Sequence, residues 1–317
     1  MRAPAIFDGI DRADPPRRPL HLAIGMFDGV HLGHQAVIAA AVHSAERTGG
    51  AAGVLTFWPH PSALFNPARK TRMIMAPTTK NRVLAGLGVD FIIEQPFVPE
   101  FASIPAEGFL AALKRALPSL TSVYVGENWR FGAGRTGDVA LLLRTAEPLG
   151  LSVFSAPRVH FNGTPISSTR IREALVSGAI GDANALLGYS YFAQGETQPG
   201  RRLGRTIGFP TLNLPWEPEL MPAFGVYRVR VARPDRIRWH PAVANYGLRP
   251  TVCESKEPVL EVHVLGDCPF AYRDQIVVEW LRFMRPERRF SDIDELREQI
   301  AKDRDQARAE FFLPRSV

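Results

Sequence analysis

The first 185 residues alternate short apolar runs with amphipathic segments. The runs are rich in β-branched and aromatic residues and end at Gly, Pro or Asp, which is typical of buried strands. The predicted strands are 21–27, 51–57, 89–95, 121–127 and 151–157. Helical spacing occurs between them, at 34–47, 80–87 and 105–117. Because strand and helix alternate, we expect a parallel sheet with right-handed crossovers, an α/β domain of the nucleotide-binding type.

The pattern changes after about residue 186. Strand-like segments then follow one another with turns between them, at 189–196, 225–232, 241–247, 258–265 and 275–284. This succession predicts a small antiparallel barrel or sandwich. Ser291 is expected to cap a final helix, whose apolar stripe is Ile293, Leu296, Ile300, Ala307 and Phe311. The sequence therefore predicts two domains, 1–186 and 187–317.

Composition narrows the class of protein. The 317 residues are 45% hydrophobic and 22% charged, as in globular proteins. The first twenty residues carry charges and prolines where a signal peptide needs an apolar core, and no apolar run is long enough to cross a bilayer. We therefore expect a cytoplasmic protein without a membrane partner. Cys253 and Cys268 have no metal-ligand spacing and are interpreted as reduced structural thiols.

The charge balance bears on partners. A net charge of +6 permits nucleic-acid binding but equally fits small anionic substrates such as nucleotides. There is no RNP, zinc-finger or helix-turn-helix signature, so we expect nucleotides and no nucleic acid. We expect a monomer or weak self-association.

The stretch IGMFDGVHLGH places two histidines where a helix begins. A strand ending near Phe27 and a turn through Asp28 and Gly29 bring them to the carboxyl edge of a parallel sheet, where such sheets bind ligands. The helix start adds free N–H groups and a positive dipole end, which suit phosphate. His31 and His34 share one helix face, and Gly33 allows close approach of a nucleotide. The alternatives are a capping histidine beside a solvated one, and a zinc site, for which a third ligand is missing.

From Gly25, the pattern G-x-F-D-G-V-H-x-G-H resembles the nucleotidylyltransferase signature of bifunctional bacterial riboflavin kinase/FAD synthetases. Further motifs of that family follow in order: TFWPHP (56–61), VGENWRFGAGRTGD (125–138), ISSTRIREAL (166–175), GRTIGFPTLNL (204–214), ANYGLRPT (244–251), LEVHVL (260–265) and FMRPERRF (283–290). The resemblance covers about residues 20 to 312. It implies a Rossmann-like nucleotidylyltransferase domain followed by a small antiparallel β-barrel kinase domain with a C-terminal helix.

In the first domain the resemblance implies attack by the phosphate of FMN on the α-phosphorus of ATP, giving FAD and pyrophosphate. The implied catalytic residues are His31, His34 and Arg172. The implied nucleotide- and phosphate-binding residues are Gly25, Phe27, Asp28, Gly29, Gly33, Asn128, Ser167, Ser168 and Thr169. Ser168 is expected both to cap a helix and to bind phosphate, whereas Asn128 and Asp28 are each open to being turn residues only.

The second domain contains no P-loop, so a kinase here needs another device. In PTLNL, Thr211 and Asn213 are two residues apart and share one face of a strand. Their neutral oxygens suit Mg²⁺ that is bound mainly through ATP phosphates and water. Gly204, Arg205, Gly208 and Pro210 are the expected nucleotide-binding residues of the same motif.

Glu261 and His263 lie on the polar face of an alternating strand. Read alone, this is a half-solvated strand, but the resemblance implies that Glu261 takes the proton from the ribityl 5′-hydroxyl of riboflavin. It also implies flavin binding by Asn128, Arg249 and Arg285. Two segments depart from the family pattern, 198–199 and 265–268. They put in doubt the flavin side of the kinase site.

The leading hypothesis is an enzyme that converts riboflavin to FMN and FMN to FAD with ATP and Mg²⁺. One alternative keeps FAD synthesis with a weakened kinase, because of the two departures. Another is a non-catalytic flavin-binding paralogue, which would be indicated by loss of His31, His34, Asn213 or Glu261. All four are present.

Overall fold

The computed structural model of the chain describes residues 3–199, 208–248 and 258–312. The chain divides into two compact units, Met1–Ser168 and Thr169–Val317. No helix within the described ranges is both long and apolar enough to cross a membrane.

The first unit is built on a six-stranded parallel sheet, which confirms the predicted α/β fold. The strands are β1 Ala5–Asp8, β2 Leu20–Ile24, β3 Ala51–Trp58, β4 Phe91–Pro96, β5 Leu120–Gly126 and β6 Ser152–Ala156. Their order in the sheet is β1-β4-β3-β2-β5-β6. A separate antiparallel pair follows, β7 His160–Phe161 and β8 Thr164–Pro165. The edge strand β1 is not among the predicted elements. It has only four residues, AIFD, and is too short to give the long apolar run that marks the other strands.

Helices cover both faces of this sheet. They are α1 Leu32–Thr48, α2 Pro61–Phe65, α3 Pro77–Ala85, α4 Pro99–Ala102, α5 Ala106–Ala116 and α6 Val139–Ala146. Helix α1 packs on β2, β3 and β5. On the opposite face, Phe109, Leu110 and Leu113 of α5 join Leu22 and Val123 of the sheet in one buried cluster. Burial on both faces explains why the strands read as continuous apolar runs.

The strand order reverses at β2. The chain moves from β2 to β3 and β4 on one side, and then to β5 and β6 on the other. Open α/β sheets bind ligands outside the carboxyl end of the strand at which this reversal occurs. The loop that leaves β2 is Gly25–His31, so the fold places the histidine motif at this position.

The second unit holds the predicted antiparallel barrel. Its strand order is β10-β13-β12-β11-β14-β9, and every pairing is antiparallel. The strands are β9 Phe192–Glu196, β10 Leu212–Pro215, β11 Gly225–Ala232, β12 His240–Leu248, β13 Pro258–Val264 and β14 Gln275–Pro286. The two ends of the sheet meet where the Gln198 N–H donates to the Asn213 carbonyl at 2.8 Å, so the barrel is nearly closed.

Aromatic rings fill the barrel. Trp280 is fully buried, and its ring contacts Tyr227 (4.4 Å between centroids), Tyr246 (5.5 Å) and Trp216 (5.5 Å). Burial raises the pKa of both tyrosines. The phenols therefore stay neutral in the apolar interior.

Among the described residues of the second unit, three helices accompany the barrel: α7 Ser168–Ser177, α8 Ile180–Leu187 and the C-terminal helix Ile293–Phe312. Helix α7 begins with Ser168, the last residue of the first unit, and α8 packs on β14. The predicted domain boundary at 186/187 stays a prediction.

The predicted cap of the C-terminal helix is wrong by one residue. The Asp292 carboxylate accepts the Glu295 N–H at 2.8 Å, whereas Ser291 bonds to the Glu295 side chain. Asp292 is the better acceptor because its charge opposes the positive helix end. Of the predicted stripe, Ala307 is buried but Ile293 is half exposed.

Candidate active sites

His31 ends the loop after β2 and caps helix α1. Its Nδ1 accepts the His34 N–H at 3.3 Å. An imidazole nitrogen that accepts a hydrogen bond carries no proton, so the neutral ring of His31 has its proton on Nε2. The capping alternative raised by the sequence is thus correct for His31, and capping also sets its tautomer.

His34 stacks on His31, with ring centroids 3.5 Å apart and planes inclined by 16°. Phe27 packs edge-on against His34 at 5.3 Å. Burial first, and then the proximity of His31 and Lys80, hold the pKa of His34 well below 6.5. Its Nδ1 is buried and has no hydrogen-bond partner among the described residues. His34 is therefore a neutral, partly buried imidazole stacked between protein groups, and not the freely solvated side chain of the alternative interpretation.

The loop that carries these histidines has an unusual backbone. Phe27 and Val30 have φ values of 48° and 38°, and Gly29 has 81°. Positive φ is costly for side chains such as Phe and branched Val, so surrounding contacts must hold the loop. The Asp28 carboxylate accepts the Ile74 N–H at 3.0 and 3.2 Å, and Gln35 Nε2 donates to the Val30 carbonyl at 2.8 Å. Asp28 is thus more than a turn residue.

The start of the same loop is held by a buried lysine that sequence reasoning missed. Lys80 of α3 is 1% exposed, and its Nζ lies 2.8 Å from Thr56 Oγ1 and 3.5 Å from the Met26 carbonyl. Thr56 Oγ1 donates to the same carbonyl at 3.0 Å. The available signal was weak: Lys80 precedes the buried Leu84 by one helical turn, on the inward stripe of α3.

The ISSTRIREAL motif (166–175) contacts the histidine loop through Ser168. Its Oγ donates to the Asp28 carbonyl at 2.9 Å. Helix α7 begins at Ser168, so Ser167 precedes the helix while Thr169 and Arg172 lie in its first turns. Ser168, the last residue of the first unit, thus contacts the loop that carries the two histidines.

Asn128 lies in the exposed turn after β5, the neighbour of β2 in the sheet. Its Nδ2 donates to the Glu127 side chain at 3.3 Å. A row of aromatic rings follows this edge: Trp129 stacks on Phe131 at 4.7 Å, and Phe109 contacts both. Asn128 therefore stands at the carboxyl edge next to Trp129, which is partly exposed and packs on the buried rings of Phe109 and Phe131.

In the barrel, three polar residues stand side by side on neighbouring strands. Glu261 of β13 is directly opposite Asn213 of β10 on one side and Asn245 of β12 on the other. Leu260, Val262 and Val264 point into the core, which confirms the expected alternation of β13. Asn245 also bonds to Glu287, whose pKa is raised by burial. The predicted base and the predicted metal ligand Asn213 are thus cross-strand neighbours.

The segment GFPT (208–211) packs against the polar face of β13. The Pro210 carbonyl lies 2.9 Å from Nδ1 of His263, and the Phe209 ring packs edge-on against His263 at 5.6 Å. Gly208 has a φ of 87°, which favours glycine. Thr211 precedes β10 and is partly buried. His263, which carried no predicted role, fixes the segment that leads to Thr211 and Asn213.

Arg285 lies on the same row of the sheet but is engaged by the C-terminal helix. Its Nε and Nη2 donate to the Asp303 carboxylate at 3.0 and 2.7 Å. Gly204, Arg205 and Arg249 lie outside the described residues.

Comparison with known proteins identifies the family. The FAD synthetase model matches residues 14–170, and the riboflavin kinase model matches residues 187–311. The bifunctional riboflavin kinase/FMN adenylyltransferase of Escherichia coli K12 is 38% identical over 301 residues, 94% of each chain. The chain belongs to this family. The enzyme of the same name from Listeria monocytogenes is 34% identical and covers 92% of both chains.

A solved structure shares the whole architecture. It is described as a macrolide-efflux protein from Streptococcus pneumoniae, is 28% identical, and superposes with a TM-score of 0.85 over 97% of this chain and 99% of that one. The family membership of the present chain rests on the bifunctional riboflavin kinase/FMN adenylyltransferase relatives. The first match contains the six-stranded parallel sheet except β1, and the second contains the six-stranded antiparallel sheet.

The two departures from the family pattern are compatible with the barrel. At 198, the contact that closes the barrel uses the backbone N–H of Gln198, so the side chain at this position is not required for it. At 265–268, the Leu265 N–H donates to the Pro241 carbonyl at 2.8 Å and Gly266 turns the chain with a φ of 128°. Cys268 is exposed and forms no disulfide within the described chain, and Cys253 lies outside it.

Proposed function

We propose that the chain makes FAD from riboflavin in two ATP-dependent steps at separate sites. Residues 187–317 phosphorylate riboflavin to FMN, and residues 1–186 transfer the adenylyl group of ATP to FMN with release of pyrophosphate. The observation that supports the second step most directly is the stacked His31–His34 pair at the start of α1, at the reversal point of the parallel sheet.

Adenylyl transfer requires little covalent chemistry from the protein. The FMN phosphate attacks the α-phosphorus in line, and positioning together with stabilisation of charge on the phosphate oxygens lowers the barrier. The Nε2–H of His31 and the imidazole of His34 donate hydrogen bonds to those oxygens in this proposal. Ser167, Ser168 and Thr169 hold the leaving β- and γ-phosphates, with Arg172 supplying positive charge. Gly33 keeps the helix start open, because a Cβ there would lie 3.2 Å from the His31 ring.

FMN is the adenylyl acceptor, and we assign its flavin ring to the aromatic residues next to Asn128. The partly exposed Trp129 is supported there by the buried Phe131, on which it stacks, and a flat flavin ring packs well against such an indole. Asn128, exposed in the turn after β5, supplies polar contacts to the flavin nucleotide in this assignment.

In the kinase step Glu261 acts as the general base. A carboxylate on the polar face of β13 accepts the proton of the ribityl 5′-hydroxyl as that oxygen attacks the γ-phosphorus of ATP. Arg249, together with Arg285, is the proposed flavin contact, and Gly204, Arg205, Gly208 and Pro210 approach the nucleotide. Asn213 and Glu261 are directly opposite each other on neighbouring strands, so the residue proposed to orient the nucleotide is adjacent to the proposed general base.

The donors at Asn213 and Thr211 fit Mg²⁺. The Asn213 side chain is 5% exposed and carries a neutral oxygen, and Mg²⁺ takes oxygen ligands from protein together with substrate phosphates and water. When bound with ATP, the ion neutralises charge on the phosphate oxygens. Asn213 and Thr211 orient that nucleotide toward Glu261.

The test uses purified full-length protein with riboflavin, ATP and Mg²⁺, with products separated by chromatography. The wild type is expected to form FMN and then FAD. His31→Ala should stop FAD formation and accumulate FMN, while Glu261→Ala should stop FMN formation but still convert supplied FMN to FAD. An equal loss of both reactions in either folded variant would refute the division between the two sites.

No observation favours the two rival functions. A weakened kinase requires damage near 198 or 265, and the backbone contacts at both positions are formed. A non-catalytic paralogue would lack His31, His34, Asn213 or Glu261, which are all present. The expected cytoplasmic location, the absence of a nucleic-acid partner, and monomeric state or weak self-association stay predictions.

A further inference from the structure

We propose that Lys80 is a positioning residue for adenylyl transfer, an inference that rests on the proposed function. Its buried ammonium group fixes the backbone of the histidine loop at Met26 and keeps a positive charge within electrostatic reach of His34. None of the motifs that mark the family resemblance contains this residue.

The contacts of Lys80 lead directly to the loop. Nζ donates to Thr56 Oγ1 at 2.8 Å and is 3.5 Å from the Met26 carbonyl, to which Thr56 itself donates at 3.0 Å. Thr56 is fully buried and Lys80 is 1% exposed. A lysine side chain is almost never buried to this extent unless its ammonium group is hydrogen-bonded or paired with an opposite charge. Here the two residues form a bridge from α3 through β3 to the end of β2.

The loop needs such a bridge. Met26 is followed at once by Phe27, whose φ is 48°, and Val30 has a φ of 38°. Such a backbone conformation is strained for these side chains and persists only where neighbouring residues hold it. The middle of the loop is held at Asp28 by Ile74 and Ser168, and Lys80 with Thr56 holds its first carbonyl. The position of His31 and His34 therefore depends on anchors at both places.

The charges around Lys80 explain how it remains protonated. Burial lowers the pKa of Lys80 to about 8, against the opposing effects of Glu94 on β4 and Asp28 in the loop. The titratable group facing it from α1 is His34, whose own pKa is lowered in part by Lys80. Lys80 is therefore charged at pH 7 and loses its proton near pH 8. Because the neighbouring imidazole is neutral, this ammonium group is the resident positive charge of the pocket formed by these residues.

A purely structural lysine would behave differently. Loss of such a residue reduces the folded fraction of the first unit. FAD formation then falls in proportion, while the pH dependence and KM of the surviving activity stay unchanged. A positioning charge instead gives the rate of FAD formation an alkaline limb, which disappears when the charge is removed. The two roles are therefore separated by the pH profile of FAD formation, and riboflavin phosphorylation in the same samples reports whether the second unit is unaffected.

The experiment compares Lys80→Met, Lys80→Arg and Thr56→Val in the full-length protein. FAD formation from FMN and ATP is measured from pH 6.5 to 9.5, and riboflavin phosphorylation is measured in the same samples. Lys114→Met is the matched control, since Lys114 also donates to two backbone carbonyls, Pro118 and Leu120, but lies on α5. The wild-type rate of FAD formation should fall as pH rises through about 8.

We expect Lys80→Met to lower kcat for FAD formation by tenfold or more, with KM values changed less than threefold and a flat profile between pH 7 and 9. Lys80→Arg should keep activity above pH 9, because its charge does not titrate there. Thr56→Val should shift the alkaline limb to lower pH, because the ammonium form loses an acceptor. Lys114→Met should match the wild type in both reactions.

Three results would overturn the proposal: FAD formation by Lys80→Met within threefold of wild type, parallel loss of both reactions, or a wild-type profile with no fall between pH 7 and 9.5. If Lys80→Met does not fold, an unchanged rate and pH profile in Thr56→Val overturns it equally. Failure of the wild type to form FAD at any pH would instead refute the proposed function itself.

Discussion

The ion pair between Arg285 of β14 and Asp303 of the C-terminal helix allows a quantitative test of how that helix is fixed to the barrel. The Arg285 Nε lies 3.0 Å from both Asp303 oxygens, and Nη2 lies 2.7 Å from Oδ2. Gln299 Nε2 donates to the same carboxylate at 2.8 Å. The side chains are only 20% and 7% exposed. The pair is therefore largely shielded from water.

Removing one partner leaves the other charge buried and unpaired. Breaking a buried pair in this way costs about 3–5 kcal/mol, so Arg285→Met and Asp303→Leu should each destabilise the second unit by this amount. For a domain of this size, ~2–4 °C of Tm is lost per kcal/mol, which gives a fall of roughly 6–20 °C. In the double variant no charge is left unpaired. Its loss should be smaller than the sum of the single losses by about 0.5–3 kcal/mol.

Differential scanning calorimetry of the full chain measures these shifts, with riboflavin phosphorylation followed in parallel. Arg282→Met is the control: its partner Glu310 is 3.0 Å away, but Arg282 is 59% exposed, so the cost should be only about 0–1 kcal/mol. Strict additivity, or losses no larger than the control, would refute the reasoning. A raised KM for riboflavin in Arg285→Met but not in Asp303→Leu would assign the guanidinium to the flavin, as the family resemblance implies.

Three further predictions concern the first unit. Gly33→Ala should lower FAD formation and leave FMN formation unchanged, because the new Cβ presses on the His31 ring 3.2 Å away; product chromatography checks this. Ser168→Ala removes the bond to the Asp28 carbonyl, so it should cost about 1 kcal/mol of stability and reduce FAD formation several-fold, whereas Ser168→Thr retains a hydroxyl and should recover part of the rate. The pKa of His34 is held below 6.5 in the folded state, so as the pH falls the unfolded chain binds a proton at this side chain more readily than the folded chain does. Tm should therefore decrease as the pH is lowered from 6.5, and it should decrease less steeply in His34→Gln.

Much of the fold follows from hydrophobic pattern alone. The five predicted strands of the first half correspond to β2 through β6, and the barrel strands appear at the expected segments. Buried strands read clearly because both faces of the parallel sheet are covered. Strand β1 escaped detection because its four residues are too few to give the long apolar run that marks the other strands.

Site residues that belong to a sequence motif could be predicted. Residues whose role depends on their burial in the folded protein could not. His31, Ser168 and Glu261 stand out by spacing and by family resemblance, and the structure places them on a helix cap, a helix start and a polar strand face. Lys80 did not stand out, because a lysine in an amphipathic helix reads as solvent-exposed. Only tertiary packing shows that its ammonium group points inward to Thr56.

Strand β1 also has a consequence for handling the protein. Ala5–Asp8 pairs along Phe91–Glu94 of β4, which would otherwise form the outer margin of the sheet. That margin contains the run Phe91-Ile92-Ile93, and an open apolar margin of this kind readily pairs with a second molecule. The four residues Ala5–Asp8 thus shield an aggregation-prone segment. Variants that lack these residues should aggregate when they are concentrated, while the barrel unit keeps its fold.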